Sequence, residues 1–148
     1  MADTANIAVF TSTRRIVTGF RNTQCHEIGE KLADLVTLEI GWDGYRAKPV
    51  AYANAVYAQK LLDEVCEEDT KVPSVVPGAN GDLQLEWHVP GYDVEIHIVA
   101  PLDALFWCSD QNICPDLQPI RMGVDVSVAF KALKVMTESL NAANQAAA

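Results

Sequence analysis

Basic residues are missing from a long middle stretch of the chain. Between Val72 and Ile120 the 148-residue sequence has no Lys or Arg, yet it has seven Asp and Glu there, and its net charge is −9 overall. A surface of this kind repels nucleic acid backbones and attracts basic proteins. Because basic patches interleaved with aromatic residues are absent too, the sequence predicts a basic protein partner and no direct contact with nucleic acid. The simpler interpretation is that net charge keeps a small protein soluble.

Long apolar runs are also absent. No stretch approaches the roughly 18 apolar residues of a membrane span, and residues 1–6 lack a basic region followed by an apolar one. We therefore expect a cytoplasmic protein that does not contact a membrane. The four cysteines have no Cys-x-x-Cys spacing and are expected to be reduced thiols, although Cys108 and Cys114 could meet across a turn.

The motifs of common enzyme classes are missing as well. The sequence has no Gly-x-Ser-x-Gly elbow, no Gly-rich loop ending in Lys-Ser or Lys-Thr, and no Gly-x-Gly-x-x-Gly. Its four Cys and three His have no recognisable catalytic spacing. The pattern favours a protein without catalytic activity and without a cofactor, although it does not exclude an enzyme.

The clearest structural signal is the alternation of apolar and polar residues between 82 and 99. Apolar side chains occupy every second position of residues 83–89 and again of residues 94–98. This spacing predicts an antiparallel β-hairpin with one apolar and one polar face. Pro90-Gly91 marks its turn.

Two loop lengths keep the apolar faces of this hairpin together. A two-residue loop would place Glu86 opposite Glu95, which opposes like charges. A four-residue loop, from Pro90 to Asp93, would instead pair His88 with Glu95 and Glu86 with His97. We expect the four-residue loop.

The rest of the sequence completes an α+β domain spanning residues 1–148. Helical spacing of apolar residues predicts helices at 25–39, 51–66 and 124–140. Short strands are expected at 72–77, as an edge strand, and at 104–108, whereas 113–120 is expected to be irregular. Residues 1–24 would form an arm or a short strand, and 142–148 a flexible tail. The predicted fold thus has two N-terminal helices, an antiparallel sheet of three to four strands centred on the 82–99 hairpin, and a C-terminal helix.

Two short motifs resemble a family of small, uncharacterised bacterial proteins. They are the loop Gly41-Trp42-Asp43-Gly44 and the strand Leu85-Glu86-Trp87. The resemblance covers roughly residues 25–100 and implies an α+β fold and a bacterial or phage origin, but no catalytic residue. The sequence departs from the family pattern at Arg46, where a small residue is expected, and at Ala51, where a Ser or Thr helix cap is expected.

Two groups of residues are candidate partner-binding sites. The first lies on the polar face of the hairpin and comprises Asp82, Glu86, Asp93 and Glu95. The second lies in the glycine loop that follows the first helix and comprises Trp42, Asp43, Tyr45 and Arg46, of which Trp, Tyr and Arg are enriched at binding hot spots. In the structural alternative for this loop, Trp42 packs into the core and Asp43 caps the loop backbone.

The polar face also offers a candidate metal site. Alternate positions of two adjacent strands would place Glu86, His88, Glu95 and His97 on one surface, and carboxylate and imidazole are ordinary zinc ligands. The alternative is a solvated strand face on which these groups pair by charge.

These observations lead to one functional expectation and one alternative. We expect a small acidic cytoplasmic binding protein that inhibits or sequesters a basic partner protein, as an antitoxin or a phage anti-defence protein would. The alternative is a metal-binding protein or a metal-dependent hydrolase that uses the Glu and His face. The chain would be a monomer, or a homodimer in which the edge strand near Val72 to Val76 pairs with its twin.

Overall fold

The architecture is α+β, with two helices before the main sheet and one after it, as the sequence predicts. A computed structural model of the chain describes residues 9–10, 16–17 and 26–148. The helices are α1 (His26–Val36), α2 (Tyr52–Val65) and α3 (Ser127–Ala146). Strands β1 (Val9–Phe10) and β2 (Ile16–Val17) pair with each other. The main sheet contains β3 (Ser74–Pro77), β4 (Leu83–Val89), β5 (Tyr92–Ala100), β6 (Asp103–Cys108) and β7 (Ile120–Met122).

The main sheet is an antiparallel meander in which the strands lie in chain order. It has five strands, so the predicted number of three to four is wrong. The additional strand is β7, which begins at Ile120, the last residue of the segment 113–120. The sequence predicts this segment to be irregular because it contains two prolines, Pro115 and Pro119. The predicted edge position of residues 72–77 is confirmed, since β3 pairs only with β4.

All three helices pack against one face of this sheet. Alternate residues of the central strands are buried there, as their apolar pattern requires: Leu83, Leu85, Trp87, Val94, Ile96, Ile98, Ala104 and Phe106. Helix α2 contributes Ala55, Ala58, Leu61 and Leu62, and α3 contributes Ala129, Ala132, Leu133 and Met136. No helix among the described residues covers the opposite face, which remains the polar face.

The hairpin register differs from the expected one. The loop has two residues, so Val89 pairs with Tyr92 and Glu86 faces Glu95. Gly91 permits the short turn with a φ of +78°. Tyr92 is buried as a result, and burial of a large side chain contributes roughly 1.5–3 kcal/mol, whereas a cross-strand charge pair contributes only about 0.2–1 kcal/mol.

Two helix ends also differ from prediction. Helix α1 ends at Val36, three residues before the predicted end at Glu39. Just after Val36, the Thr37 amide donates to the Asp34 carbonyl oxygen at 3.2 Å, which tightens the last turn. Gly41 has the expected left-handed φ, +85°, but lies in the loop beyond the helix. Helix α3 continues to Ala146, six residues past the predicted end at Leu140. The predicted flexibility of the last residues stays a prediction.

The two cysteines that could meet across a turn do so. The sulfur atoms of Cys108 and Cys114 are 3.7 Å apart, and both residues are buried free thiols. Burial raises the pKa of the Cys108 thiol to about 11. Cys66 is also a free thiol. The expected reduced state of the cysteines stays a prediction.

The N-terminal segment is described only in part. The predicted arm or short strand of residues 1–24 contains β1 and β2, and the other residues up to 25 lie outside the described residues. Within the described part, none of the helices has both the length and the apolar character needed to cross a membrane.

Candidate functional site

The polar face of the sheet carries carboxylates at its centre. Glu86 on β4 is the cross-strand neighbour of Glu95 on β5, and Glu95 is in turn the neighbour of Trp107 on β6. Strand alternation places these side chains on the face that the helices leave uncovered. Two like charges side by side are unfavourable, so this row of the sheet favours a cation that approaches from solvent.

His88 lies at one end of this acidic row. Its Nδ1 is 2.8 Å from the Asp93 carboxylate, and its Nε2 is 3.4 Å from the Glu86 carboxylate. The hydrogen bond to Asp93 and the one to Glu86 raise the pKa of His88. A protonated His88 would therefore offset part of the negative charge, whereas the neutral imidazole would leave it in place.

Asp82 lies at the opposite end and has a structural role. Its carboxylate is 2.5 Å from Nε2 of His97 and accepts a 3.0 Å hydrogen bond from the Asn80 amide. Burial raises the pKa of Asp82, but the hydrogen bonds with His97 and Asn80 outweigh this effect and hold the pKa below its ordinary value. Asp82 thus holds the turn between β3 and β4 and remains an anion.

The predicted acidic residues therefore share one face but do not form one compact cluster. Asp82 and His88 are six positions apart along the chain, which corresponds to about 20 Å in an extended strand, and Asp93 pairs with His88. Glu86 and Glu95 lie between these ends. A surface of this length suits an extended partner better than a single small ion.

Among the described residues, few cations offset this charge. Arg121 on β7 donates two hydrogen bonds of 2.8 Å to the Asp103 carboxylate and is therefore engaged within the sheet. Lys71, just before β3, donates to the backbone carbonyl of His88 at 3.4 Å. No other Lys or Arg occurs between residues 71 and 121.

The four proposed metal ligands are not brought together. His88 faces Asp93 and His97 faces Gln84, so the two imidazoles are separated by four positions along the hairpin, roughly 13 Å. In the described part of the chain, no group of three or more His, Cys, Asp or Glu is placed to hold a metal ion. The pairings expected for His88 with Glu95 and for Glu86 with His97 depended on the longer loop and are wrong.

The glycine loop is a hydrogen-bonded turn with an exposed tip. One oxygen of Asp43 accepts hydrogen bonds from the amides of Tyr45 at 2.8 Å and Ala47 at 3.1 Å, which confirms the capping interpretation. Trp42 is half-buried and its indole N–H donates to the Lys48 carbonyl at 2.9 Å. Tyr45 and Arg46 are exposed, so these two side chains can contact a partner.

This loop lies beside one end of the acidic face. The Lys48 amide donates to the Ala79 carbonyl, and the Ala51 amide donates to the Gly81 carbonyl, each at 2.9 Å. Residues 79–81 belong to the turn that Asp82 holds. The two candidate sites that the sequence identifies separately are therefore neighbours through this turn.

Two apolar residues, Leu105 and Trp107, lie on the polar face, and the sequence pattern does not assign them to it. Both are half-buried on β6, and the Trp107 indole N–H donates to the Leu117 carbonyl at 2.9 Å. Because residues 104–108 are apolar at nearly every position, alternation does not distinguish the two faces of β6. The pairing of Trp107 with Glu95 is visible only from the strand register.

Comparisons with protein-family models, with curated proteins and with solved structures find no match to this chain. The resemblance based on the Gly-Trp-Asp-Gly loop and the Leu-Glu-Trp strand therefore stays a prediction.

Proposed function

We propose that this chain is a non-enzymatic binding protein whose acidic sheet face binds a basic protein. One observation carries the proposal: the described helices all pack on one face of the sheet, and the other face presents Glu86 and Glu95 side by side at its centre. An open antiparallel face normally interleaves charges of both signs. Here Arg121, on strand β7, is bound to Asp103.

The row Glu86, Glu95 and Trp107 suits an arginine of the partner. A guanidinium that donates two hydrogen bonds to the Glu95 carboxylate could also lie against the indole of Trp107. Arg and Trp are enriched among residues that dominate binding energy. The exposed fraction of the Glu86 side chain is only 21%, so this carboxylate has already lost much of its contact with water. A partner that covers it therefore pays a smaller desolvation free energy than it would at a fully exposed carboxylate.

The biological role that fits this surface is inhibition or sequestration of the basic partner in the cytoplasm. A protein that covers a cationic surface competes with whatever that surface normally binds, including nucleic acid. An antitoxin or a phage anti-defence protein would act in this way. Electrostatic attraction would also speed association and make it sensitive to salt.

The test is affinity capture from the native host with matched variants. The face variant carries Glu86→Gln, Asp93→Asn and Glu95→Gln, and leaves Asp82 in place because it holds a turn. The control carries Glu27→Gln, Glu30→Gln and Glu68→Gln, which are exposed outside the sheet. Each triple change shifts the net charge by three, from −9 to −6. We expect the wild type and the control to retain the same basic protein and the face variant to lose it.

Three results would contradict the proposal. Equal capture by all three proteins would place the site elsewhere, and Tyr45→Ala with Arg46→Ala would then test the glycine loop. Equal loss of the partner from both variants would show that capture depends on the net charge of the protein and not on the sheet face. Capture of no protein by the wild type, at low as well as physiological salt, would remove the basis for a stable protein partner.

A further inference from the structure

A cavity of about 500 Å³ lies on the helical side of the molecule, away from the acidic face. It is bounded by one side of α2 and by the turn between β5 and β6, and it is lined mainly by apolar groups of Tyr52, Ala53, Val56, Tyr57, Pro101 and Leu102. Its volume lies within the range of roughly 300–1,000 Å³ that is typical of small-molecule sites. The small side chain of Ala53 leaves room on the helix for an occupant.

The turn that forms one wall of the cavity is unusual. The two hairpin turns of β5 have the same length and each begins with a proline: Pro90-Gly91 before it and Pro101-Leu102 after it. The second residue has positive φ in both, +78° at Gly91 and +60° at Leu102. Glycine adopts this conformation without strain, whereas leucine does not. Leu102 is nevertheless 57% exposed, so burial in the core does not explain why a leucine is used here.

A buried polar atom lies beside the same cavity. Tyr57 is only 8% exposed, and its hydroxyl oxygen is buried with no hydrogen-bond partner among the described residues. Burial, together with the nearby Glu64 and Asp103 carboxylates, raises the pKa of this hydroxyl. It therefore stays protonated and is available as a donor, and buried donors are rarely left unpaired in proteins.

The charged side chains at the cavity argue against an anionic occupant. Lys60 and Glu64 line it four residues apart on α2, so their charges offset each other, and the Asp103 carboxylate acts on Tyr57 from the adjacent strand. The Asp103 carboxylate is itself paired with Arg121, so a carboxylate or phosphate would find no uncompensated positive charge here. An uncharged ligand with a hydrogen-bond acceptor needs none.

We propose that the cavity binds a small, uncharged, largely apolar molecule whose single carbonyl oxygen accepts a hydrogen bond from the Tyr57 hydroxyl. Leu102 and the half-exposed Tyr52 form the outer walls of the site. A shift of the exposed Leu102 side chain opens the hydroxyl to the ligand. The site is independent of the acidic sheet face, and its occupancy does not require the basic partner.

The test uses two probes of similar size, acetophenone and ethylbenzene, of which only the first has a carbonyl. Each is titrated into the full chain while amide chemical shifts are followed by NMR. We expect both to shift the amides of residues 52–64 and 101–103, with acetophenone binding more tightly. Tyr57→Phe should weaken acetophenone binding by roughly three- to ten-fold, the usual effect of losing one hydrogen bond, and leave ethylbenzene binding unchanged.

Two alanine replacements separate filling of the cavity from a general effect of added apolar surface. Ala53→Leu places a larger side chain in the cavity and should abolish binding of both probes. Ala143→Leu adds the same side chain at an exposed position of α3, and should leave binding unchanged. The proposal is overturned if neither probe shifts these amides, or if Tyr57→Phe affects both probes equally. Concentration-dependent shifts of the same amides without a probe would also overturn it, because a second copy would then occupy the cavity.

Leu102→Gly provides a second readout. Glycine relieves the positive-φ strain at this position, so the variant should have a higher Tm than the wild type while binding acetophenone more weakly. A higher Tm with unchanged affinity would show that Leu102 does not contribute to the site, which would overturn its role as a wall. Gly91 occupies the equivalent position of the other hairpin turn with a φ of +78° and shows that glycine fits a turn of this length.

Discussion

The protonation state of His88 controls the charge of the acidic row. Its hydrogen bonds with Asp93 and Glu86 hold its pKa above the ordinary value, so the imidazolium persists to higher pH than in the unfolded chain. The ion pair therefore stabilises the folded protein fully below the unfolded pKa of about 6.5, and this contribution is lost as the pH rises through the folded pKa. Loss of the proton leaves the row more negative, which favours a basic partner.

We predict that Asp93→Asn lowers the pKa of His88, because the shorter of its two hydrogen bonds to a carboxylate is removed. The pKa is measured from the pH dependence of the imidazole C–H signal by NMR. Glu138→Gln, which neutralises an exposed carboxylate on α3, is the control and should leave the signal unchanged. An identical His88 titration in Asp93→Asn and the wild type would contradict the contact.

At this scale the sequence predicts which side chains share a face but not which of them touch. The period of two fixes the face of Glu86, His88, Glu95 and His97 whatever the loop length. Their partners depend on the register, which is determined by the burial of Tyr92 and the conformation of Gly91 rather than by charge. The proposed metal site depended on those pairings and has no geometric support.

One buried polar side chain of helix α2 forms hydrogen bonds to the sheet. Asn54 is 5% exposed, and its Nδ2 donates to the carbonyl oxygens of Gly81 at 2.9 Å and Val99 at 3.3 Å. The contact joins the helix to the β3–β4 turn and to the end of β5. It also fixes the helix next to the cavity, since Ala53 and Tyr57 lie within one turn of Asn54.

We predict that Asn54→Ala lowers the free energy of unfolding by about 2 kcal/mol, because two hydrogen bonds from a buried side chain to the sheet are lost. Urea denaturation gives this value from the midpoint and slope. The matched control is Asn141→Ala, which removes an exposed hydrogen bond to Asp69 and should change stability by less than about 0.5 kcal/mol. Equal effects of the two replacements would contradict the role of Asn54 as an anchor.

Elements with a strong period are predictable here, and those defined by tertiary contacts are not. The apolar spacing of α2 places its ends within one residue of the observed Tyr52 and Val65. Strand β7 has only three residues, too few to display a period, and forms because β6 offers an unpaired edge. The sequence likewise does not identify Asn54 as an anchor, because an asparagine near a helix start also suits a cap.

Both edges of the five-stranded sheet are short. Strand β3 has four residues, follows Pro73 and ends with Pro77, and β7 has three residues. Proline cannot donate a hydrogen bond to a neighbouring strand, and short edges offer few unpaired groups. The structure therefore gives little support to the homodimer in which edge strands pair.

We predict a monomer across the whole accessible concentration range. Light scattering coupled to size exclusion should give the mass of one chain, 16.2 kDa, without a concentration-dependent increase. A mass of twice this value that falls to one chain when Ser74 is replaced by proline would contradict the prediction and identify β3 as the interface.

At the scale of the whole molecule, the sequence predicts the α+β architecture well, because its order of helical and alternating segments is retained in the fold.

The strict chain order of the five strands also bears on how the molecule folds. Each strand pairs with the one just before or after it, and the β4–β5 and β5–β6 connections have only two residues. Short loops cost little closure entropy, and local pairings are associated with fast folding. The sheet can thus grow by adding one hairpin at a time during synthesis. The contacts of α1 and α2 with later strands join residues farther apart in sequence, so we expect them to form last.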